Sequence, residues 1–251
     1  MELGLKGKNA VVTGGSKGIG RSIALALAAE GVNVAICARR EGPLNATLAE
    51  IEAQGVKAYR EACDVGDETS LHDFLDNARQ ALGSVDILVS NVSALGAGND
   101  LEAWDANVTL DLMASVRAVE KVLPWMREAG GGNIILMSSI SGIEVGTTRP
   151  YAATKAALIS YGKSLAVDLG PAGIRVNTIA PGSIKFPGGV WDKAEKANSA
   201  RYHSTLARIP WGRFGQPEEV ANLAVFLASD AASWVTGACI PVDGAQHRSN
   251  M

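Results

Sequence analysis

Cysteine, histidine, aromatic residues and charge are all scarce in this chain. Of 251 residues only three are cysteine and three are histidine. Cys37, Cys63 and Cys239 are odd in number and far apart, with neither disulfide nor zinc spacing. Each lies in or beside an apolar run, which suits small buried hydrophobes in a reducing, cytoplasmic compartment. His72, His203 and His247 form no ligand pattern, and no metal is expected. No stretch is apolar and long enough to span a bilayer, and the start, Met-Glu-Leu-Gly-Leu-Lys-Gly-Lys, lacks a signal-peptide apolar region. Charged residues make up 20%, the net charge is −3, and there is no basic stripe, so nucleic acid is excluded as a partner.

What is abundant is glycine, 28 residues, within a chain that is 47% hydrophobic. That composition fits a buried parallel sheet covered by helices. Short β-rich runs at 9–13, 32–38, 57–62, 86–90, 133–138, 174–180 and 238–242 alternate with helical patterns. The helices are expected at 18–30, 43–54, 67–82, 101–129, 151–169 and 217–229, with Pro124 marking a kink or bend in the long fourth one. Such alternation predicts α/β architecture with a parallel sheet and right-handed crossovers, in one domain spanning 1–251. The irregular insertion is 183–210, which carries Phe186, Trp191 and Tyr202. Segments of that length are commonly lids or binding loops.

Between the first strand and helix stands Thr13-Gly14-Gly15-Ser16-Lys17-Gly18-Ile19-Gly20. Glycines there permit a tight turn and let backbone N–H groups approach a pyrophosphate at a helix N-terminus. The spacing is Gly-x-x-x-Gly-x-Gly rather than the common Gly-x-Gly-x-x-Gly. A carboxylate ending the second strand would bind the 2′-hydroxyl of NAD, whereas arginine accommodates a 2′-phosphate. This strand ends Cys37-Ala38-Arg39-Arg40, and Lys17 adds a cation inside the turn. Both features favour NADP(H) over NAD(H).

Downstream, Tyr151-Ala-Ala-Thr-Lys155 follows an apolar run ending Ser138-Ser139. Four residues on a helix put the phenol and the ammonium on one face. A neighbouring cation favours the phenolate, which equips the pair for proton exchange with a carbinol oxygen.

With both motifs in place, the chain resembles the short-chain dehydrogenase/reductase family, in particular its 3-oxoacyl-(acyl-carrier-protein) reductase-like members. The resemblance runs nearly end to end, through Asp64-Val65, 87–91, Ser139, 177–184, 213–230 and Val242-Asp243-Gly244. It implies a Rossmann-type, doubly wound seven-stranded parallel sheet of order 3-2-1-4-5-6-7 with helices on both faces. It further implies Tyr151 as general acid/base, Lys155 as its activator and a ribose ligand, and one serine holding the substrate oxygen. Strand alternation sends Ser138 and Ser139 to opposite faces. Matching back from Gly142 favours Ser139, twelve residues before Tyr151. Gly14, Ser16, Lys17, Gly18, Ile19 and Gly20 would cradle the pyrophosphate. Asp64 and Val65 would touch the adenine, Asn91 would line the cleft, and Pro181, Gly182 and Ile184 would flank the nicotinamide.

Three positions depart from the family pattern. Ser90-Asn91-Val92-Ser93 replaces Asn-Asn-Ala-Gly, and Phe186 stands where a threonine is frequent. The asparagine usual in the long central helix is matched by Asp111, with Asn107 one turn away as the other alignment. An aspartate there could hold a relay water or pair with Lys155 and alter the pH profile.

The expected activity is NADPH-dependent interconversion of a carbonyl and a secondary alcohol, on a 3-oxoacyl thioester or other small ketone, free or carrier-bound. Oxidation of a small or cyclic alcohol and a non-catalytic dinucleotide-binding paralogue are the alternatives. An acidic carrier would need basic residues such as Arg117, Lys121, Arg127 and Arg149 to form a patch. Family members usually form tetramers, and the small residues Ala152, Ala153, Ala156, Ala157 and Gly162 would allow close helix packing in a homotetramer or homodimer.

Overall fold

Aliphatic runs become strands and the amphipathic stretches between them become helices. The computed structural model describes residues 2–95 and 98–250. In chain order these are β1 (Asn9–Thr13), α1 (Gly18–Ala29), β2 (Asn33–Ala38), α2 (Glu41–Glu52), β3 (Ala58–Ala62), α3 (Glu68–Leu82) and β4 (Ile87–Ser90). Then come α4 (Leu101–Asn107), a π-helical segment (Val108–Met113), α5 (Ala114–Glu128), β5 (Gly132–Met137) and α6 (Arg149–Leu169). The chain continues with β6 (Ile174–Pro181), α7 (Val190–Lys196), α8 (Ala200–Ala207), α9 (Pro217–Ala228) and β7 (Cys239–Val242). The seven strands pair in parallel in the order β3-β2-β1-β4-β5-β6-β7, as the resemblance implies.

Strand alternation divides the interior in two. Val11, Ala35, Leu88, Ile134 and Val176 face one side, where they pack with Phe74 and Leu75 of α3, Val119 and Val122 of α5, and Leu165 of α6. Their neighbours Val12, Val34, Ile36, Val89 and Ile135 face the other side, against Ile23 and Leu27 of α1, Leu44 and Ile51 of α2, and Val220 and Leu227 of α9. This two-sided burial is why the strands read as nearly continuous apolar runs.

Caps set several helix starts. Asp67 accepts from the Ser70 amide at 2.7 Å to open α3. Pro217 sits at the first turn of α9, whose Gln216 and Glu219 form a capping box. The long fourth helix differs from expectation. It is divided not at Pro124, which α5 passes through, but at the π-helical Val108–Met113. The extra residue per turn there rotates the following side chains, a device frequent at functional sites. The insertion is more ordered than a loop, since it contains α7 and α8. Trp191, tilted, and Tyr202, stacked, pack on Phe214 at centroid distances of 5.0 and 4.8 Å, so two of its aromatics anchor the insertion to the segment before α9.

Two of the three cysteines are sealed in the core, while Cys239 is only half-buried. Burial pushes the Cys37 thiol well up, and contact with Cys37 lowers that of Cys63. No helix among the described residues is long and apolar enough to cross a membrane.

Candidate active site

All the anticipated site segments lie at the carboxyl ends of the strands, where open parallel sheets carry their ligands. The glycine turn leaves β1 beside β4, at the point where strand order reverses. Gly14 has φ +70° and Gly18 φ +54°, a left-handed region that glycine enters without cost. The Gly15 amide donates to the Cys37 carbonyl at 3.1 Å, which ties the turn to β2. A Cβ on Gly20 would stand 2.4 Å from the Gly14 carbonyl oxygen, so α1 can approach the turn only without a side chain there. Asn91 locks the crossing from the β4 side. Its amide donates to Thr13 Oγ1 and its Nδ2 to the Thr13 carbonyl, both at 3.0 Å.

Lys17 occupies the N-cap of α1 and its side chain makes no capping bond. The helix therefore begins without a side-chain acceptor, and its dipole favours an anion there. Phe186 packs onto this corner: a Cβ on Gly18 would lie 2.6 Å from its Cζ. Between the turn, Phe186 and Arg213 opens a cavity of about 770 Å³.

A second cavity, of about 390 Å³, lies over the ends of β2 and β3 and is lined by Arg39, Asp64 and Gly66. Arg39 is exposed and makes no ion pair among the described residues. Glu102 and Asp105 of α4 face the same cavity, although no motif in the chain points to them. Val65 turns its side chain into the core, so only its main chain is free to meet a ligand. At the end of β6, Gly182 abuts the C-terminal segment: a Cβ there would be 2.6 Å from Asp243 Cβ. Gln246 closes the contact, its Oε1 accepting from the Ser183 amide at 2.9 Å. Ile184 is buried beside Gly215.

The two adjacent serines separate cleanly. Ser138 donates through Oγ to the main-chain carbonyl of Lys155 at 2.8 Å. Ser139 instead caps the 3-10 turn Ile140–Gly142, its Oγ accepting from the Ser141 amide at 3.1 Å and donating to no acceptor among the described residues. Backbone contact then fixes α6 against this turn, since a Cβ on Gly142 would lie 2.7 Å from the Lys155 carbonyl carbon.

Tyr151 and Lys155 occupy successive turns of α6, with Lys155 Nζ 5.7 Å from the phenol ring centroid. Tyr151 is half-buried and Lys155 is buried. The ammonium donates to the Met137 carbonyl at 2.9 Å and lies 3.0 Å from Asp111 Oδ1. It is thus Asp111, not Asn107, that meets Lys155; Asn107 donates to the Ala103 carbonyl within its own helix. Both side chains of the ion pair are almost wholly sealed from solvent, at 2% and 0% exposure. A charged lysine in such a place requires a partner.

Comparisons with known proteins agree with this geometry. A family model described as Enoyl-(Acyl carrier protein) reductase matches residues 14–247. The chain belongs to the short-chain dehydrogenase/reductase family. A 3-oxoacyl-(acyl-carrier-protein) reductase of Thermotoga maritima is 36% identical over 246 residues, covering 96% of this chain and 98% of that one. Two solved structures superpose with a TM-score of 0.90 at 33% identity. One is the L-sorbose reductase of Gluconobacter frateurii with NADPH and L-sorbose, with 99% of this chain and 100% of that one covered. The other is a 7α-hydroxysteroid dehydrogenase with NADH and 7-oxo glycochenodeoxycholic acid, with 97% and 96% covered. This short-chain dehydrogenase/reductase is therefore an oxidoreductase that acts on CH–OH groups and the matching ketones of small molecules, with a nicotinamide dinucleotide as redox partner.

Proposed function

We propose that this short-chain dehydrogenase/reductase is an NADP(H)-linked carbonyl reductase, reversible as a secondary-alcohol dehydrogenase, with Tyr151 as general acid/base. One observation carries the reading: Tyr151 and Lys155 lie on successive turns of α6, which packs against the 3-10 turn that Ser139 caps. In reduction, Tyr151 Oη gives its proton to the carbonyl oxygen while Ser139 Oγ donates a hydrogen bond to the same atom. The Lys155 ammonium stabilises the phenolate that remains. A bound nicotinamide supplies the hydride in this direction and accepts it in the other.

The chain's own residues fit that group. The left-handed Gly14 and Gly18, the uncapped start of α1 and the absence of a Cβ on Gly20 leave room and amide donors for a pyrophosphate held by Gly14, Ser16, Lys17, Gly18, Ile19 and Gly20. Arg39 and Lys17 would meet the 2′-phosphate, with Asp64 and the Val65 main chain beside the adenine. Asn91, Pro181, Gly182 and Ile184 would border the nicotinamide end, and Lys155 its ribose. Asp111 would serve the centre by holding the Lys155 side chain in place.

Removing the phenol hydroxyl tests the reading. Tyr151→Phe should lower turnover by about 10²–10⁴-fold with little change in cofactor affinity. Retention of more than a few per cent of turnover would overturn the assignment.

A small free ketone suits the site better than a carrier-bound one. Two of the four cations suggested for an acidic carrier are already partnered, Arg117 with Glu68 at 3.1 Å and Lys121 with Asp76 at 2.7 Å, which leaves only Arg127 and Arg149 without an ion pair among the described residues. A homotetramer is the proposed assembly, to be checked by sedimentation. Gly162 does not bear on it, because its Cβ would meet Thr178 Oγ1 at 2.7 Å and its smallness serves the sheet.

A further inference from the structure

The ring of Phe186 lies between two glycines from distant parts of the chain. On one side is Gly18, in the turn that opens α1. A Cβ built there would stand 2.6 Å from Phe186 Cζ and 2.8 Å from both Cε1 and Cε2. On the other side is Gly189, the N-cap of α7, where a Cβ would stand 3.0 Å from Cε2 and Cζ of the same ring. The Gly189 amide donates to the Phe186 carbonyl at 3.0 Å, which folds the 186–189 turn back onto the ring. A side chain at either position would push the ring aside, so Gly18 and Gly189 together make its seat.

That seat is also where a phosphate must come. A glycine in such a turn lets the backbone approach a pyrophosphate, and a side-chain atom standing over it takes that space. Ring and phosphate cannot share Gly18. The ring has another place to go. Phe186 lines the cavity of about 770 Å³, whose apolar wall is made by Pro187, Tyr202, Leu206 and Phe214. A shift towards that wall would be felt by α7 and α8. Lys185, next to Phe186, is paired with Glu195 at 2.9 Å, and Glu195 accepts from Tyr202 Oη at 2.7 Å.

We infer that Phe186 is a displaceable plug of the phosphate cradle. Its ring competes with the cofactor's pyrophosphate for Gly18, which holds dinucleotide affinity below what the cradle alone would give and eases release of the spent cofactor. Trimming an apolar side chain at a ligand site ordinarily weakens binding; here trimming strengthens it. The inference rests on the proposed placing of the pyrophosphate at residues 14–20.

Calorimetric binding tests it without turnover. Phe186→Ala should bind NADP⁺ about tenfold more tightly than the parent, the gain expected where the open cradle is about one-tenth populated. Phe186→Leu, which removes the ring and keeps an apolar side chain, should tighten in the same direction by less. Adenosine 2′-monophosphate carries the 2′-phosphate and no pyrophosphate, so its affinity should be unchanged in both variants. An unchanged or weaker NADP⁺ affinity in the variants would overturn the plug, as would equal tightening of adenosine 2′-monophosphate. Phe186→Leu carries the test where Phe186→Ala does not fold. Hydrogen exchange of the parent keeps the two claims apart. NADP⁺ should protect the amides of 14–20. Absent protection would remove the placing of the pyrophosphate, whereas protection with an unmoved affinity in the variants would remove the plug alone.

Discussion

The Ser138 hydroxyl is bonded to the carbonyl of Lys155, 2.8 Å away, and so reaches the lysine through its main chain rather than its ammonium. That bond joins the end of β5 to α6, and it leaves Ser139 as the serine with a proton to offer a substrate.

Substituting each serine should therefore give opposite signatures. Ser139→Ala is expected to lower kcat by about 10²-fold, the scale of a lost donor to the reacting oxygen, with Tm nearly unchanged. Ser138→Ala should instead cost about 0.5–1.5 kcal/mol of stability, because it removes a buried hydrogen bond between the end of β5 and α6 while the Lys155 carbonyl keeps its helical partner. Thermal unfolding and steady-state kinetics on both variants check the pattern; a larger kcat loss in Ser138→Ala would reverse it.

The Lys155–Asp111 pair makes a prediction about stability that is separate from catalysis. Lys155→Met leaves a carboxylate buried without its cation and should destabilise by about 3–5 kcal/mol. Replacing both, as Lys155→Met with Asp111→Leu, should recover much of that loss, although the Ala94 amide, which donates to Asp111 Oδ2, then remains without an acceptor. Urea unfolding of the parent, the two single variants and the double variant completes the cycle.

Cofactor choice is expected to turn on Arg39. Arg39→Asp should shift the NADPH/NADH preference towards NADH by about 10-fold or more, since it exchanges a phosphate partner for a ribose hydroxyl acceptor. Glu102 and Asp105, which share the cavity, already oppose a phosphate there, so neutralising them should raise the preference for NADPH. Kinetics with both cofactors for Arg39→Asp and Glu102→Gln provide the comparison; an unmoved preference in Arg39→Asp would remove the phosphate argument.

A pH dependence follows from the start of α9. Arg213 grips Glu219 with bonds of 2.6 and 2.9 Å, and the Gln216 amide adds another at 2.7 Å. These hold the carboxyl down at about 2. A carboxyl lowered in the folded state stabilises fully above its unfolded value of about 4.3, and the benefit fades as pH falls towards about 2. The parent should lose Tm across that window, and Glu219→Gln should show a flatter acid limb and a lower Tm at neutral pH. Calorimetry from pH 2 to 7 measures both.

Much of this was legible in the chain because its signals are local. Alternating apolar runs such as 9–13 and 133–138 fixed strands buried on both faces, and the glycines of 14–20 marked a turn whose geometry no other residue tolerates. Arg39 and Tyr151-x-x-x-Lys155 could be placed from the chain, the one at a strand end and the other on one helix face, because both positions are local. The π-helical turn at Val108–Met113 was not, since no residue there breaks an α-helix and the register is set by what Asp111 must reach. Nor were Glu102 and Asp105, which share a cavity with Arg39 only through where the fold sets α4. Pro124 was the converse case, a strong local signal in a helix that runs on through it.

Gly142 presses main chain against main chain beside Lys155, and the same seam carries Ser139 on one side and Ser138 on the other. The spacing of donor, acid and cation is thereby tied to a main-chain contact that requires glycine at 142, while α7 and α8 hang outside the seam. Such a division makes the protein permissive to change. Grafting a foreign 190–207 segment, which leaves Ile184 and Phe186 in place, should alter what is accepted without detuning how it is reduced, so new specificities can be sought there with the reaction centre left alone.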